Sequence, residues 1–439
     1  MAFIAVALWT SDRFRQLPLR GAFQKESSAF LYYYQQVTLD SSLSLVVAGN
    51  WGTGYFLKAL ILENTNDSRP ATIMRPPTPP KHVLNLIPYQ PGQSIAEIRE
   101  LTGLERIIKL ASNENPLGPS PLAVKRAQQA ATEVAIYPRA GLTLRTALAK
   151  YLSVDLDNVI VGAGSEGVIL HTLRTYLQPS DEAITAEGTF IGFYVIASAM
   201  NLSLKTVPLR ADFTYDLDAM LAAVTPATKL IYIANPNNPT GTAISRSEWH
   251  DFLDALPDEI LVMMDEAYFE YARDLWDEYP DSLEDRHDQV ITLRTFSKIY
   301  GLAGSRIGYG VGHPEVIGNV LKVKLPFEPS WTAECAGMGA IEDVEFLKRT
   351  LRTNREGMKR LNALLDELAL HHTRSIANFV LVVFDNAERA VWFSEELLKR
   401  GIIARPMVPF HLPNTVRITV GIPNELDLLE EALRSIISS

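Results

Sequence analysis

Val159-Ile160-Val161-Gly162-Ala163-Gly164-Ser165-Glu166-Gly167 carries a short apolar strand into a glycine-rich turn, and Gly167 to Tyr176 continues with a helical pattern. This strand–turn–helix unit recurs along the chain. Short β-branched or apolar runs lie at Asn158 to Val161, Ala183 to Ala186, Lys229 to Ala234, Ile260 to Met264, Val290 to Thr295 and Ile307 to Val311. Between them lie longer amphipathic stretches such as Arg246 to Ala255. Strands alternating with helices predict an α/β fold whose mainly parallel sheet is covered on both faces. A helical run follows from Ala333 to about Leu370. The tail then reads strand (Phe379 to Phe384), helix (Glu388 to Arg400), strand (Val416 to Val420) and helix (Glu425 to Ser435), which predicts a smaller α+β unit. No internal repeat is visible.

The chain has 439 residues, enough for two domains or one large domain with an appendage. A net charge of −10 argues against a nucleic-acid partner. The lone cysteine, Cys335, excludes an internal disulfide framework and agrees with a reducing compartment. No apolar run is long enough for a transmembrane helix. Residues 1 to about 75 have apolar stretches but no steady helical or strand period. They also lack the basic region and small-residue cleavage site of a secretory signal. The prolines at 70, 76, 77, 79 and 80 read as a linker, so residues 1–78 are expected to be a poorly ordered or dispensable extension, with an upstream start codon as one origin.

Four strand ends carry candidate chemistry. Gly162 to Gly167 satisfies G-x-G-x-x-G, and Glu187 sits where a ribose-binding carboxylate would sit in a nicotinamide enzyme. The same backbone suits any phosphate at a helix N-terminus, and a plain tight turn is a third reading. Asn235-Pro236-Asn237-Asn238-Pro239-Thr240-Gly241 follows the strand Leu230 to Ala234. It reads as an ordered turn where open α/β sheets place ligands, and an amide there could donate to a cofactor phenolate oxygen. Asp265-Glu266-Ala267-Tyr268 ends an apolar strand. A carboxylate buried there needs a cation, such as a protonated ring nitrogen, or else it caps the next helix. Finally, Thr295-Phe296-Ser297-Lys298 precedes Gly301 to Arg306. A lysine in so uncharged a run is either an ordinary surface residue or a desolvated amine available for Schiff-base chemistry, with the hydroxyls and the arginine suited to a phosphate.

In this order, each at a strand end, these motifs resemble the fold-type-I aminotransferases that use pyridoxal 5'-phosphate, and more closely their histidinol-phosphate aminotransferase branch. The resemblance also rests on Leu110-Ala111-Ser112-Asn113-Glu114-Asn115-Pro116-Leu117-Gly118, Tyr137-Pro138, Gly401 to Arg405 and Val416 to Gly421. It covers about Pro79 to the C-terminus. It implies a large domain with a seven-stranded, mainly parallel sheet between helices, and a small α+β domain at the C-terminus. The boundaries it implies are an arm at 79–118, a large cofactor-binding domain at 119–370 and a small domain at 371–439.

The resemblance also implies roles. Lys298 would form the Schiff base and shuttle the proton, Asp265 would pair with the pyridine nitrogen, and Asn238 and Tyr268 would face the ring oxygen. Ser297, Arg306 and the backbone of Gly164, Ser165 and Glu166 would hold the phosphate, with Thr295 a lesser contributor. Phe190 would stack on the ring, where relatives often carry tyrosine. Tyr137 would reach the phosphate of a neighbouring subunit, which implies a homodimer with shared active sites. Arg417 would fork onto a substrate carboxylate or phosphate, and Arg405, Asn378, Tyr89 and Asn113 would line the rest of the pocket. Two positions depart from the family pattern: Arg139 where an acidic residue is usual, and Asn201 where a glycine is.

The function so implied is histidinol-phosphate:2-oxoglutarate transamination in histidine biosynthesis, in the cytoplasm, with no metal, nucleic acid or membrane partner. A broader aromatic amino acid aminotransferase and a threonine-phosphate decarboxylase share the motifs. A ligand-sensing regulator would need a basic winged-helix module upstream, which the first 75 residues do not show. A nicotinamide dehydrogenase leaves Lys298, Asp265 and Asn238 without a role.

Overall fold

The computed structural model describes residues 32–40, 43–50, 58–63, 77–86, 88 and 94–438. The chain divides between Thr78 and Pro79 into two compact units. In the first, Tyr32–Asp40, Leu43–Asn50 and Lys58–Glu63 pair in that order as an antiparallel sheet. Sequence periodicity did not mark these strands, because the run from Leu43 to Ala48 is nearly continuous in apolar residues instead of alternating.

The second unit is built on a seven-stranded sheet. Its strands are β1 (Val159–Gly162), β2 (Glu182–Ala186), β3 (Ser203–Val207), β4 (Thr228–Ala234), β5 (Leu261–Asp265), β6 (Val290–Thr295) and β7 (Gly308–Val311). They lie in the order β1-β7-β6-β5-β4-β2-β3. All run parallel except β7, which is antiparallel to both of its neighbours. Six of the seven stand within a residue or so of the strands read from sequence. β3 was missed because it is an edge strand whose Ser203 and Thr206 are exposed, so it carries little apolar signal.

The central strands read as continuous apolar runs because both faces are buried. Leu230 and Tyr232 of β4, with Leu261 and Met263 of β5, pack into one core, while Ile231, Ile233, Val262 and Met264 pack into the other. Since β1, β4, β5 and β6 are parallel, their carboxyl ends share one edge of the sheet.

A second sheet joins Phe379–Val383, Thr415–Thr419 and Arg405–Pro406, all antiparallel. Beside it, Ile402–Ile403 pairs in parallel with Ile108–Lys109, so the arm preceding the large sheet is stitched to the C-terminal region. Helices Ala387–Lys399 and Pro423–Ile437 bury Phe393, Leu397, Leu429 and Leu433 in this smaller core. The long helix Val344–Glu367 contributes Met358, Leu361 and Leu365 to it, while Leu347 and Leu351 from its first half pack on the larger domain. Asn201 has φ +56°, a left-handed conformation that asparagine tolerates better than most residues, which accounts for glycine being usual there. Among the described residues no helix is long and apolar enough to cross a membrane.

Candidate active site

The shared edge of the sheet holds a cavity. Its walls include Gly164, Ser165 and Glu166 after β1, Phe190 after β2, Asn238 after β4, Asp265 at the end of β5 with Ala267 and Tyr268 beyond it, and Thr295 at the end of β6 with Ser297, Lys298 and Arg306 beyond it. The turn after β4 is held from several sides. Asn235 N–H donates to the Asp265 carbonyl at 2.9 Å. Asn237 Nδ2 donates to the Gly188 carbonyl at 3.0 Å, while its Oδ1 accepts from Thr189 at 2.8 Å. The loops bearing Asn238 and Phe190 are thereby locked together.

Asp265 is buried, with Tyr232 Oη donating to its Oδ2 at 2.7 Å. The Ala267 amide is near enough to favour the ionised form, yet no well-formed hydrogen bond reaches Oδ1 among the described residues. Burial pushes the carboxyl up to about 6, with Tyr232 and Ala267 opposing and Glu166 and Glu266 adding to the rise. A buried carboxylate with one uncommitted oxygen, on a residue that lines the cavity, fits a cationic ring nitrogen.

Lys298 Nζ donates to the Ser112 carbonyl at 3.2 Å and lies 5.8 Å from the Tyr268 ring centre. Burial pulls its ammonium down to about 8, helped by the positive charges of Arg417 and Arg306 and opposed by Glu114 and Glu166. Tyr268 is buried and its hydroxyl accepts from Asn113 Nδ2 at 2.8 Å; burial raises the phenol to about 12. Asn238 Oδ1 accepts from Arg417 Nη1, and Arg417 Nη2 donates to the Ala111 carbonyl at 2.7 Å. That leaves the Asn238 amide nitrogen as the group available to face an acceptor in the cavity.

At the other end of the cavity, Ser297 and Thr295 hydroxyls meet at 3.0 Å, and Arg306 Nη2 donates to Glu166 Oε2 at 2.6 Å. The arginine lies against the helix N-terminus at Gly164, where a Cβ would stand 2.8 Å from Nη2. Gly308 of β7 is held more tightly, because a Cβ there would stand 2.3 Å from the Ser165 amide nitrogen. Gly308→Ala must therefore move backbone at the anion-binding turn. We expect a stability loss of about 1–3 kcal/mol in denaturant unfolding, with weaker retention of inorganic phosphate or a phosphorylated ligand.

Several sequence candidates lie outside the cavity wall. Asn113 and Asn378 are buried behind it, Asn378 Nδ2 donating to the Asn113 carbonyl at 3.2 Å. Arg405 is half-buried and pairs in register with Arg417 across the small sheet. Tyr137 is 75% exposed and stacks on Phe327 with ring centres 4.4 Å apart, so it does not enter the cavity of its own chain. Tyr89 lies outside the described residues. Sequence reasoning overlooked Tyr232, Ala234, Pro236, Ala267 and Ala303. Of these only Tyr232 carried a signal, a lone phenol among Leu230, Ile231, Ile233 and Ala234.

The fold and this cavity define an aminotransferase. The family model for aminotransferase class I and II matches residues 105–436, and the chain belongs to that family. Within it the resemblance narrows. The histidinol-phosphate aminotransferase of Moorella thermoacetica is 37% identical over 381 residues, spanning 86% of this chain and 97% of that protein. Histidinol-phosphate aminotransferase 1 of Thiobacillus denitrificans is 40% identical over 81% of this chain and 94% of its own. Among solved structures, the histidinol-phosphate aminotransferase of Sinorhizobium meliloti, in complex with pyridoxal-5'-phosphate, superposes with a TM-score of 0.74 at 28% identity, covering 84% of this chain and 99% of that one. Aspartate aminotransferase of Thermus thermophilus shares the fold, with a TM-score of 0.71 at 22% identity over 83% of this chain and 98% of its own.

Proposed function

We propose that this enzyme moves the amino group of histidinol phosphate to a 2-oxo acid such as 2-oxoglutarate, with pyridoxal phosphate held in the strand-end cavity. One observation carries the reaction type: a buried carboxylate with an uncommitted oxygen shares a cavity with a lysine whose amine is partly deprotonated near neutrality. The identity of the donor is supported by the histidinol-phosphate aminotransferases at 37–40% identity over nearly their whole length.

Bound pyridoxal phosphate supplies an electron sink for the carbon that bears the amino group. The chain supplies charge and position. Asp265 would keep a ring nitrogen protonated by coulombic pairing, and the Asn238 amide and Tyr268 hydroxyl would take the ring oxygen. Ser297, the Gly164–Glu166 backbone and Arg306 take the phosphate, Arg306 exchanging its Glu166 partner for the incoming anion. Lys298, with its pKa lowered to about 8, would serve as the base that moves the proton at the donor carbon. Arg417, whose planar guanidinium is held by Asn238 and the Ala111 carbonyl, would turn part of that fork to the donor's phosphate and the 2-oxo acid's carboxylate in turn.

Assembly as a cytoplasmic homodimer belongs to the same reading. It is supported by the exposed Tyr137–Phe327 pair and by Val134, Ile136 and Leu325, each more than half exposed.

The test is a donor panel with 2-oxoglutarate as acceptor. Histidinol phosphate is expected to give the highest kcat/KM, above phenylalanine and tyrosine. Arg417→Leu should lower that kcat/KM on the order of 10²-fold or more. A preference for the aromatic amino acids would replace the proposed donor while leaving the transaminase chemistry intact.

A further inference from the structure

Thr419 lies at the end of the strand Thr415–Thr419 in the small sheet, does not line the cavity, and is buried. It closes a two-bond ring with Asn113: the Asn113 backbone N–H donates to Thr419 Oγ1 at 3.0 Å, and Thr419 Oγ1 donates to Asn113 Oδ1 at 3.0 Å. A hydroxyl has one proton, and this geometry gives it to Oδ1. The opposite amide orientation would make Oγ1 accept twice and would strand that proton. Asn113 Oδ1 therefore faces Thr419, and Nδ2 faces the Tyr268 hydroxyl at 2.8 Å.

An amide nitrogen can only donate, so Tyr268 must accept from Asn113. Its own proton then has to point elsewhere. Among the described residues no acceptor receives it, and Tyr268 borders the cavity that holds Lys298. Asn113 cannot drift out of this arrangement easily. It sits in the left-handed region at φ +56°, and its carbonyl is also held by Asn378.

We infer that Thr419 is a positioning residue which, through Asn113, fixes the Tyr268 hydroxyl as a hydrogen-bond donor into the cofactor cavity. The consequence rests on pyridoxal phosphate being the bound group, as proposed above. A phenol that must donate stabilises negative charge on the cofactor's ring oxygen. That oxygen then competes less well for the proton shared with the lysine-bound imine, so the proton is lost at lower pH. The charged groups facing the phenol are Arg417, Asp265 and Lys298, and the substitution below leaves all three in place.

Thr419→Val keeps the shape of the side chain and removes the hydroxyl; Thr419→Ser restores the hydroxyl on a smaller one. The readout is the pH midpoint at which the visible absorbance of bound pyridoxal phosphate interconverts in the purified holoenzyme. We expect Thr419→Val to raise this midpoint by about half a unit or more and Thr419→Ser to return it towards wild type. Should Thr419→Val not retain the cofactor, Thr419→Ala, which removes the same hydroxyl and adds no charge, carries the test, and the same upward shift is expected. A midpoint that matches wild type in the variant carrying the test, or a shift that serine does not reverse, overturns the role given to Thr419. A wild-type protein with no visible band at any pH would instead overturn the cofactor reading itself, so the two failures are distinct.

Discussion

Lys298→Ala is expected to abolish the visible absorbance of added pyridoxal phosphate and to lower turnover by at least about 10³-fold, since it removes both the covalent anchor and the base. The buried position explains why the wild-type amine can do this work. With its pKa near 8, lowered from 10.5, roughly a tenth of the side chain is neutral at pH 7, against a few parts in ten thousand for a lysine in water. The sign follows directly. The folded state holds fewer protons on this group than the unfolded chain between pH 8 and 10.5, so its contribution favours folding increasingly as pH rises through that window. Capture of an aldehyde should accelerate with pH and level off above about 8. Stopped-flow absorbance on the apoenzyme measures this profile. An alanine variant that keeps both the band and the turnover would remove Lys298 from the chemistry.

Asp265→Asn is expected to have the next largest effect, and a different one. The lysine remains, so the cofactor still binds and the visible band persists. The ring nitrogen, however, loses its buried counter-charge. Breaking a buried ion pair costs about 3–5 kcal/mol, which corresponds to roughly a 10²–10⁴-fold loss in turnover. A cofactor analogue whose ring nitrogen is methylated, and so cationic without a proton, should recover part of that loss. In the wild type, Asp265 titrates near 6 before the cofactor is present, so cofactor affinity should fall as pH is lowered through that value. Asp265→Asn should flatten that dependence. A variant with full turnover, or a wild-type affinity that does not respond between pH 5 and 7, would sink the assignment.

The parts of the molecule that were legible in the sequence share a physical cause. Strands β4 and β5 are buried on both faces, so Leu230 to Ala234 and Leu261 to Met264 read as unbroken apolar runs, whereas β6 is as buried but carries Thr292 and Arg294. Asp265, which ends β5, and Asn238, shortly after β4, stand out because a polar group at the end of such a run needs a reason, and Lys298 stands out by the uncharged stretch around it. β3, at the sheet edge, lacked that contrast. Tyr232 and Thr419 were not legible for another reason. Tyr232 matters because strand register brings its hydroxyl to Asp265, one strand over, and Thr419 because it meets a residue 306 positions earlier. Neither relation leaves a local pattern. Tyr137 shows a further kind of limit, since it is largely exposed and stacks only on Phe327 within its own chain, outside the cavity.

The stitch between Ile108–Lys109 and Ile402–Ile403, with Asn113 clasped by Thr419, has a consequence for biosynthesis. During translation the early half of this clasp emerges first and waits for its mate until almost the whole polypeptide has left the ribosome. The sheet that carries Asp265 and Lys298 can form beforehand, as domains generally fold as units during synthesis. The strand-end cavity is therefore expected to take shape on the nascent chain before Thr419 emerges to hold Asn113 and, through it, Tyr268.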